Sequence, residues 1–432
     1  MRAEKRWAAM ALVQGLALGL ALLSGCGGGS EAPRDSARLR LLNASAGYAA
    51  LDLAVDGGNV NSGVAFGAVG GYASVATSGV TTAVSSSGSV GVLSSASRSL
   101  NKDGHYTLVA YGPAGALKTQ LIADDLAAPA NNLTSVQVQH LAPDAGSLDV
   151  YLTGSSDALE GATPLAANLA AGSGQGASSV IAATYRLRVT GSGDKTDLRL
   201  DVQGLVLRGG QVGTLVLSQG AGGVLVHGIW LVQQGKAGAM ANPQARLRVV
   251  SAVAGGASVS LTVAGTSLAN ASLSPNIGAY TLVTGGSAVP VLLAVNNRAV
   301  AVADQPLSAG GDYTLLVWGD AAAPRTTWLT DDNSYPTALG NAKLRLINAS
   351  SGAPVALTLK VDLSTLASAV APGQASAFAT VPASSLARLD IGSASNPSLK
   401  VLPGVNLAAK GVYSVVVLGD SAAPDAVLRK DR

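Results

Sequence analysis

An all-β chain of tandem sandwich modules, each of immunoglobulin-like size, is predicted by three observations. Short segments alternate apolar and polar residues with a period of two, which places one set of side chains on one face of a sheet. The composition is rich in turn formers and light in aromatics: 53 glycines among 432 residues, 12% charged residues and 4% aromatic ones. The same strand pattern also returns four times at a spacing of about 100 residues, far above the 20 to 50 of solenoids and propellers, so each copy is large enough for its own core.

Taken in chain order, the first element is a leader. Arg2, Lys5 and Arg6 are followed by an apolar run from Trp7 to Leu23, and then by Ser24, Gly25 and the only cysteine, Cys26. The run is interrupted by Gln14, Gly15 and Gly19 and is short for a spanning helix of about 20 residues, although an uncleaved anchor is the alternative reading. The arrangement Leu22-Leu23-Ser24-Gly25-Cys26 resembles a bacterial lipoprotein signal. That resemblance implies cleavage after residue 25 and lipidation of Cys26, with the membrane as partner through the acyl chains. With Gly27 rather than Asp next, it implies the outer membrane of a Gram-negative cell envelope. Residues 26–36 follow as a tether rich in Gly and Ser.

The modules are expected at 37–133, 134–243, 244–341 and 342–432. Their opening strands read Ala37–Leu42, Ser135–His140, Ala245–Val250 and Ala342–Ile347, with Leu39, Val136, Leu247 and Leu344 alternating with Arg or Gln. A turn and a second strand follow: Leu51–Val55, Leu148–Leu152, Val259–Val263 and Leu357–Val361. A late strand carries Tyr106, Tyr313 and Tyr413 in copies one, three and four, and is degraded at Gly210–Val216 in copy two.

Composition excludes several classes. Removing the leader's basic residues and Glu4 leaves a net charge of about +1, with no run of Lys or Arg to form a nucleic-acid footprint. One cysteine permits no internal disulfide, so packed cores alone must stabilise the chain. Hydrophobic content is 48%, but in the mature part it comes in short runs far below a membrane span.

The segment Val138-Gln139-His140-Leu141-Ala142-Pro143-Asp144-Ala145-Gly146-Ser147-Leu148-Asp149-Val150-Tyr151 resembles the opening signature of the domain-of-unknown-function family 4397. Phe66-Gly67-Ala68-Val69-Gly70-Gly71-Tyr72 is similar to that family's later Phe-Gly-x-Val-x-x-Tyr segment. The resemblance covers copies one and two, while copies three and four share the strand pattern. It implies secreted or envelope β-sandwich modules in tandem and no assigned activity.

Candidate chemical residues are few. His140 lies beside Pro143-Asp144, but Asn43, Ser251 and Asn348 hold its place in the other copies, which points to a turn-stabilising role rather than a base. His105 and His227 sit in unrelated contexts, so a three-histidine metal site is not expected. Asp52 and Asp149 align with Ser260 and Thr358, which suits an exposed strand face. The pairs Asp124-Asp125 and Asp331-Asp332 precede Pro-containing segments and read as solvated linkers, with calcium as the alternative. Trp230, Trp318 and Trp328 read as core or edge packing, with a carbohydrate platform as the alternative. Serines such as Ser85-Ser86-Ser87 lack a nucleophile elbow, and Gly172–Gly176 lacks a P-loop Lys. No catalytic residue, metal or cofactor is assigned. The expectation is a non-enzymatic, lipid-anchored envelope protein with a structural or interaction role, and the alternative is a module that binds a glycan or another envelope component.

Overall fold

The computed structural model describes residues 35–352, 355–421 and 423–432. The leader and Cys26 lie outside these residues.

The first module shows the plan. Its strands are β1 (Ser36–Asn43), β2 (Ala50–Val55), β3 (Gly58–Ala65), β4 (Ala73–Ala76), β5 (Val80–Ser86), β6 (Val92–Arg98), β7 (His105–Tyr111) and β8 (Lys118–Ala123). One sheet has the order β4-β1-β7-β8 and the other β3-β2-β5-β6. β1 runs parallel to β7, pairing Arg40 with Thr107 and Leu42 with Val109. Leu39 and Leu41 point between the sheets and pack against Leu51, Leu53, Val84 and Leu108. Period-two patterning therefore does here what it predicts.

The other modules repeat the plan. In each, the opening strand pairs in parallel with the late strand: Leu133–Leu141 with Val212–Gln219, Gln244–Val253 with Asp312–Asp320, and Asn341–Asn348 with Val412–Leu418. The second module adds an edge strand, Ala237–Met240, to its opening sheet. Each module encloses a separate apolar cluster. No described residue lies in an α-helix; the helical pieces are single 3-10 turns at Pro143–Ala145 and Ala254–Gly256.

The opening sheets are buried on both faces, which the alternation of Leu with Arg does not foretell. Leu42, Ala44, Val109 and Ile122 of module 1 pack against Leu141, Val216, Ile229 and Leu231 of module 2. Val250, Ala252 and Leu316 of module 3 pack in the same way against Ile347, Ala349 and Val416 of module 4. The modules are thus joined in two pairs by sheet-on-sheet packing.

The pairs meet at a polar junction. Gly222 donates its amide to the carbonyl of Gly310 at 2.8 Å, and Tyr335 donates its amide to Asp144 at 3.1 Å. Arg432 stacks on the Tyr335 ring at 3.9 Å and donates to the carbonyls of Gly223 and Asn333.

Candidate functional site

The residues singled out for chemistry are mostly held in turns and bulges. His140 is fully buried; its Nδ1 accepts the Ala142 amide at 3.3 Å, which leaves Nε2 to donate to the Gly146 carbonyl at 2.6 Å. Burial lowers its pKa, opposed by the Gly146 hydrogen bond. His227 is also buried, accepts the Asn242 amide at 3.1 Å and meets the Phe66 ring edge-on. Burial brings its pKa down from 6.5 to about 4. His105 sits apart from both, 3.0 Å from Asp125. The three histidines share no site, and no described group of three His, Cys, Asp or Glu is placed to hold a metal ion.

Asp52 and Asp149 serve the backbone. Asp52 accepts the amide of Gly63 and Asp149 that of Asn168, while Ser260, at the same place in module 3, accepts that of Ala271. All three amides belong to residues with positive φ where the strand pairing shifts register. The side chain thus secures a strained bulge. Asp149 is buried rather than exposed. Burial acts to raise its pKa, but the amides of Asn168 and Gly193 outweigh that and hold it below the usual carboxylate range.

The Asp pairs correct the solvated-linker expectation. The first member of each is nearly inaccessible, Asp124 at 2% and Asp331 at 1%. Asp124 accepts from Arg40, Thr107 and Tyr72, and the Arg40 guanidinium lies over the Tyr72 ring, 4.4 Å from its centre. In module 3 the same set recurs as Arg248, Thr314, Asp331 and Tyr280, and in module 4 as Arg345, Ser414, Asp431 and Phe378. These groups lie on the sheet face that the neighbouring module covers. Arg248 donates to Asp431 at 2.5 Å and Arg345 to Asp331 at 2.6 Å, a reciprocal exchange across the interface. In the first pair Arg40 instead donates to the carbonyls of Val232 and Gly235 in module 2.

Sequence reasoning missed this network because the arginines fit an exposed alternating face. A signal was present within the repeats themselves. The copy that carries Gln137 in place of the arginine carries Gln233 in place of the aspartate, and the other three copies keep both.

The tryptophans separate. Trp230 lies in the core of module 2 over Gly213, where an added Cβ would come within 2.3 Å of the indole. Trp328 packs against the core of module 3. Trp318 belongs to the module 3–4 interface and lines a cleft of about 460 Å³ with Asp320, Arg325, Ser350, Pro372 and Asp420. Its Nε1 donates to Thr327 at 3.1 Å, and the Arg325 guanidinium lies 5.3 Å from its ring.

Repeated two-sheet modules, with an opening strand parallel to a late strand and paired outer faces, define the chain as a tandem β-sandwich protein. Within that class, the family described as Domain of unknown function (DUF4397) matches residues 37–151 and 245–357, more than half of the sequence, and the chain belongs to it. Each match covers one member of a pair and runs into the opening strands of the next. The second match also extends the likeness to copy three, beyond the residues that carried it in the sequence. No curated protein matches. Among solved structures, a "putative cell adhesion protein" from Bacteroides uniformis ATCC 8492 is 10% identical, covering 47% of this chain and 99% of that one with a TM-score of 0.23. The Bacillus anthracis TIE protein is 8% identical, covering 86% and 65% with a TM-score of 0.13. Scores at that level relate neither function nor detailed fold.

Proposed function

We propose that this chain is a non-enzymatic scaffold of the cell envelope, held on the outer membrane through acyl chains on Cys26, whose fused modules present loops and edges to partners. The observation that carries this reading is the burial of the opening sheets' outer faces in pairs, which turns a string of modules into stiff two-module blocks. A rigid carrier for surface loops is a common use of such sandwiches. The candidate residues support the non-catalytic part, since His140, Asp52, Asp149, Asp124 and Asp331 all serve turns, bulges or interfaces.

Fatty-acid labelling of cells expressing the wild-type chain and Cys26→Ala, followed by membrane fractionation, tests the anchoring. Label and membrane association that depend on Cys26 are expected; an unlabelled chain that remains membrane-bound through an intact leader refutes the anchor. A second reading, ligand binding, is favoured by the cleft at Trp318, where an aromatic ring, an arginine, carboxylates and hydroxyls converge between two modules.

A further inference from the structure

We propose that the outer strand of module 1, β8, pairs edge to edge with β8 of a second copy of this chain. The inference goes beyond the scaffold reading and does not need the acyl anchor.

Module 2 shows what such an edge can hold. Its late hairpin strand, Val226–Val232, carries the added strand Ala237–Met240 on its outer side. Val232 donates its amide outward to the Lys236 carbonyl at 3.0 Å, and Ala239, across from Ile229, closes on Gly67 of module 1. In module 1 the same hairpin places belong to Ala123 and Gln120. The counterpart of Gly67 is Gly172 of module 2, since their amides donate to the carbonyls of Asn43 and His140. Gln120 reaches that turn through Gln139, to which it donates at 2.9 Å and whose side chain lies against Gly174.

This edge is bare and open. β8 pairs with β7 alone among the described residues, without a register shift. The Asp124 amide bonds the His105 carbonyl, so alternation along the hairpin turns the amides and carbonyls of Thr119, Leu121 and Ala123 outward. A Cβ added at Gly172 would meet nothing within 4 Å, whereas the Ala239 Cβ stands 2.6 Å from one added at Gly67.

The other two copies differ. In module 3 the Trp318 indole fills the place before Gly373, the third glycine of the set, coming within 2.1 Å of an added Cβ. In module 4, self-pairing of Asp425–Lys430 about Leu428 would set Asp425 against Asp431. A strand edge without cover or charge is a template for another strand, and Thr119–Ala123 has neither guard.

Charge selects a second copy as the occupant. Antiparallel self-pairing about Leu121 sets Thr119 opposite Ala123 and Lys118 opposite Asp124, beside the exposed Asp125. Lys118 is exposed and has no side-chain partner among the described residues. Both ends of the pairing thus join unlike charges, and a two-fold axis gives each copy the same contacts.

The test is sedimentation equilibrium of the full-length chain in density-matched detergent. A monomer–dimer equilibrium is expected. Ala123→Pro removes an outward amide and no bond within the sheet, and should raise the dissociation constant about tenfold or more. Thr330→Pro, at the same place in module 3, should leave it unchanged. Register is checked in a Cys26→Ala background. Thr119→Cys and Ala123→Cys chains should form a disulfide when mixed and neither alone, because hydrogen-bonded neighbours lie about 5.5 Å apart, within disulfide reach. Melting curves will show whether the variants fold, and the disulfide decides the matter if Ala123→Pro does not. Monomers at every concentration would leave the edge to a strand of another protein and overturn the proposal. Dimers indifferent to Ala123→Pro, or a disulfide formed by either cysteine variant alone, would overturn it too.

Discussion

Arg248 of the third module donates to Asp431 of the fourth across the sheet-to-sheet interface, with both side chains at most 2% accessible. The partner that its own module supplies, Asp331, is taken by Arg345 from the opposite side. Each module therefore completes its neighbour's charge balance rather than its own.

Removing one member of such a set leaves an uncompensated buried charge. Arg248→Ala is expected to destabilise the module 3–4 block by about 3–5 kcal/mol. Arg248→Met combined with Asp431→Leu should recover most of that loss, because apolar replacements fill the volume without a stranded charge. Urea unfolding of both variants, followed by hydrogen exchange within modules 3 and 4, checks the pair. Equal losses in the single and double variants would refute the account.

Histidine burial sets a pH window. The unfolded chain protonates His227 near pH 6.5, whereas burial lowers the folded value to about 4. The stability that His227 contributes by staying neutral is therefore complete above pH 6.5, declines as the pH falls through this interval and levels off below 4. The swing is on the order of 3 kcal/mol. Thermal melting between pH 4 and 7 should show that slope, and His227→Gln, which retains an acceptor for the Asn242 amide, should flatten it.

Gly67 tests the first pair. It adopts φ +76°, and an added Cβ would approach the Ala239 Cβ to 2.6 Å. Gly67→Ala should cost about 1–3 kcal/mol through crowding and a disfavoured backbone. The loss should appear as faster hydrogen exchange at the module 1–2 interface, including the edge strand Ala237–Met240.

Arg432 tests the junction between pairs. Its guanidinium joins Gly223 of module 2, Asn333 just after the last strand of module 3, and the Tyr335 ring. Arg432→Ala should leave each pair folded but let the two move apart. Small-angle scattering should then show a larger radius of gyration with little change in melting temperature.

Much of this was legible in the residues. The alternation at Leu39, Val136, Leu247 and Leu344 located the opening strands, the recurrence pointed to tandem sandwiches, and the Phe66–Tyr72 segment pointed to the family. What the alternation could not convey is that a polar-looking face can be buried too. Period two tells which side chains share a face, not what covers that face. Nothing local marks Arg40, Arg248 and Arg345 as covered, because the groups that cover them belong to another module, more than 180 residues on for Arg40 and Arg248. Asp331 is likewise held by Arg345 of the next module, while Asp124 is held by Arg40, Thr107 and Tyr72, which are distant in sequence within its own module. Phe66, Val69 and Tyr72 also belong to this hidden layer: Phe66 and Val69 pack in the interface and Tyr72 donates to Asp124. In this chain, the motif that marks the family is thus largely a docking surface between modules.

The substitution of Gln137 and Gln233 for an arginine and an aspartate in module 2 has a consequence for how so repetitive a polypeptide avoids tangling. Units of the same fold emerging one after another from the ribosome are prone to couple with the wrong sibling. Here, a pairing of the second and third units would bury Arg248 and Asp331 against glutamines, which can hydrogen-bond them but cannot neutralise their charge, whereas in the first pair Arg40 has Asp124 of its own unit and takes only backbone carbonyls from the second. The charge complement thus disfavours a pairing of two with three relative to one with two and three with four.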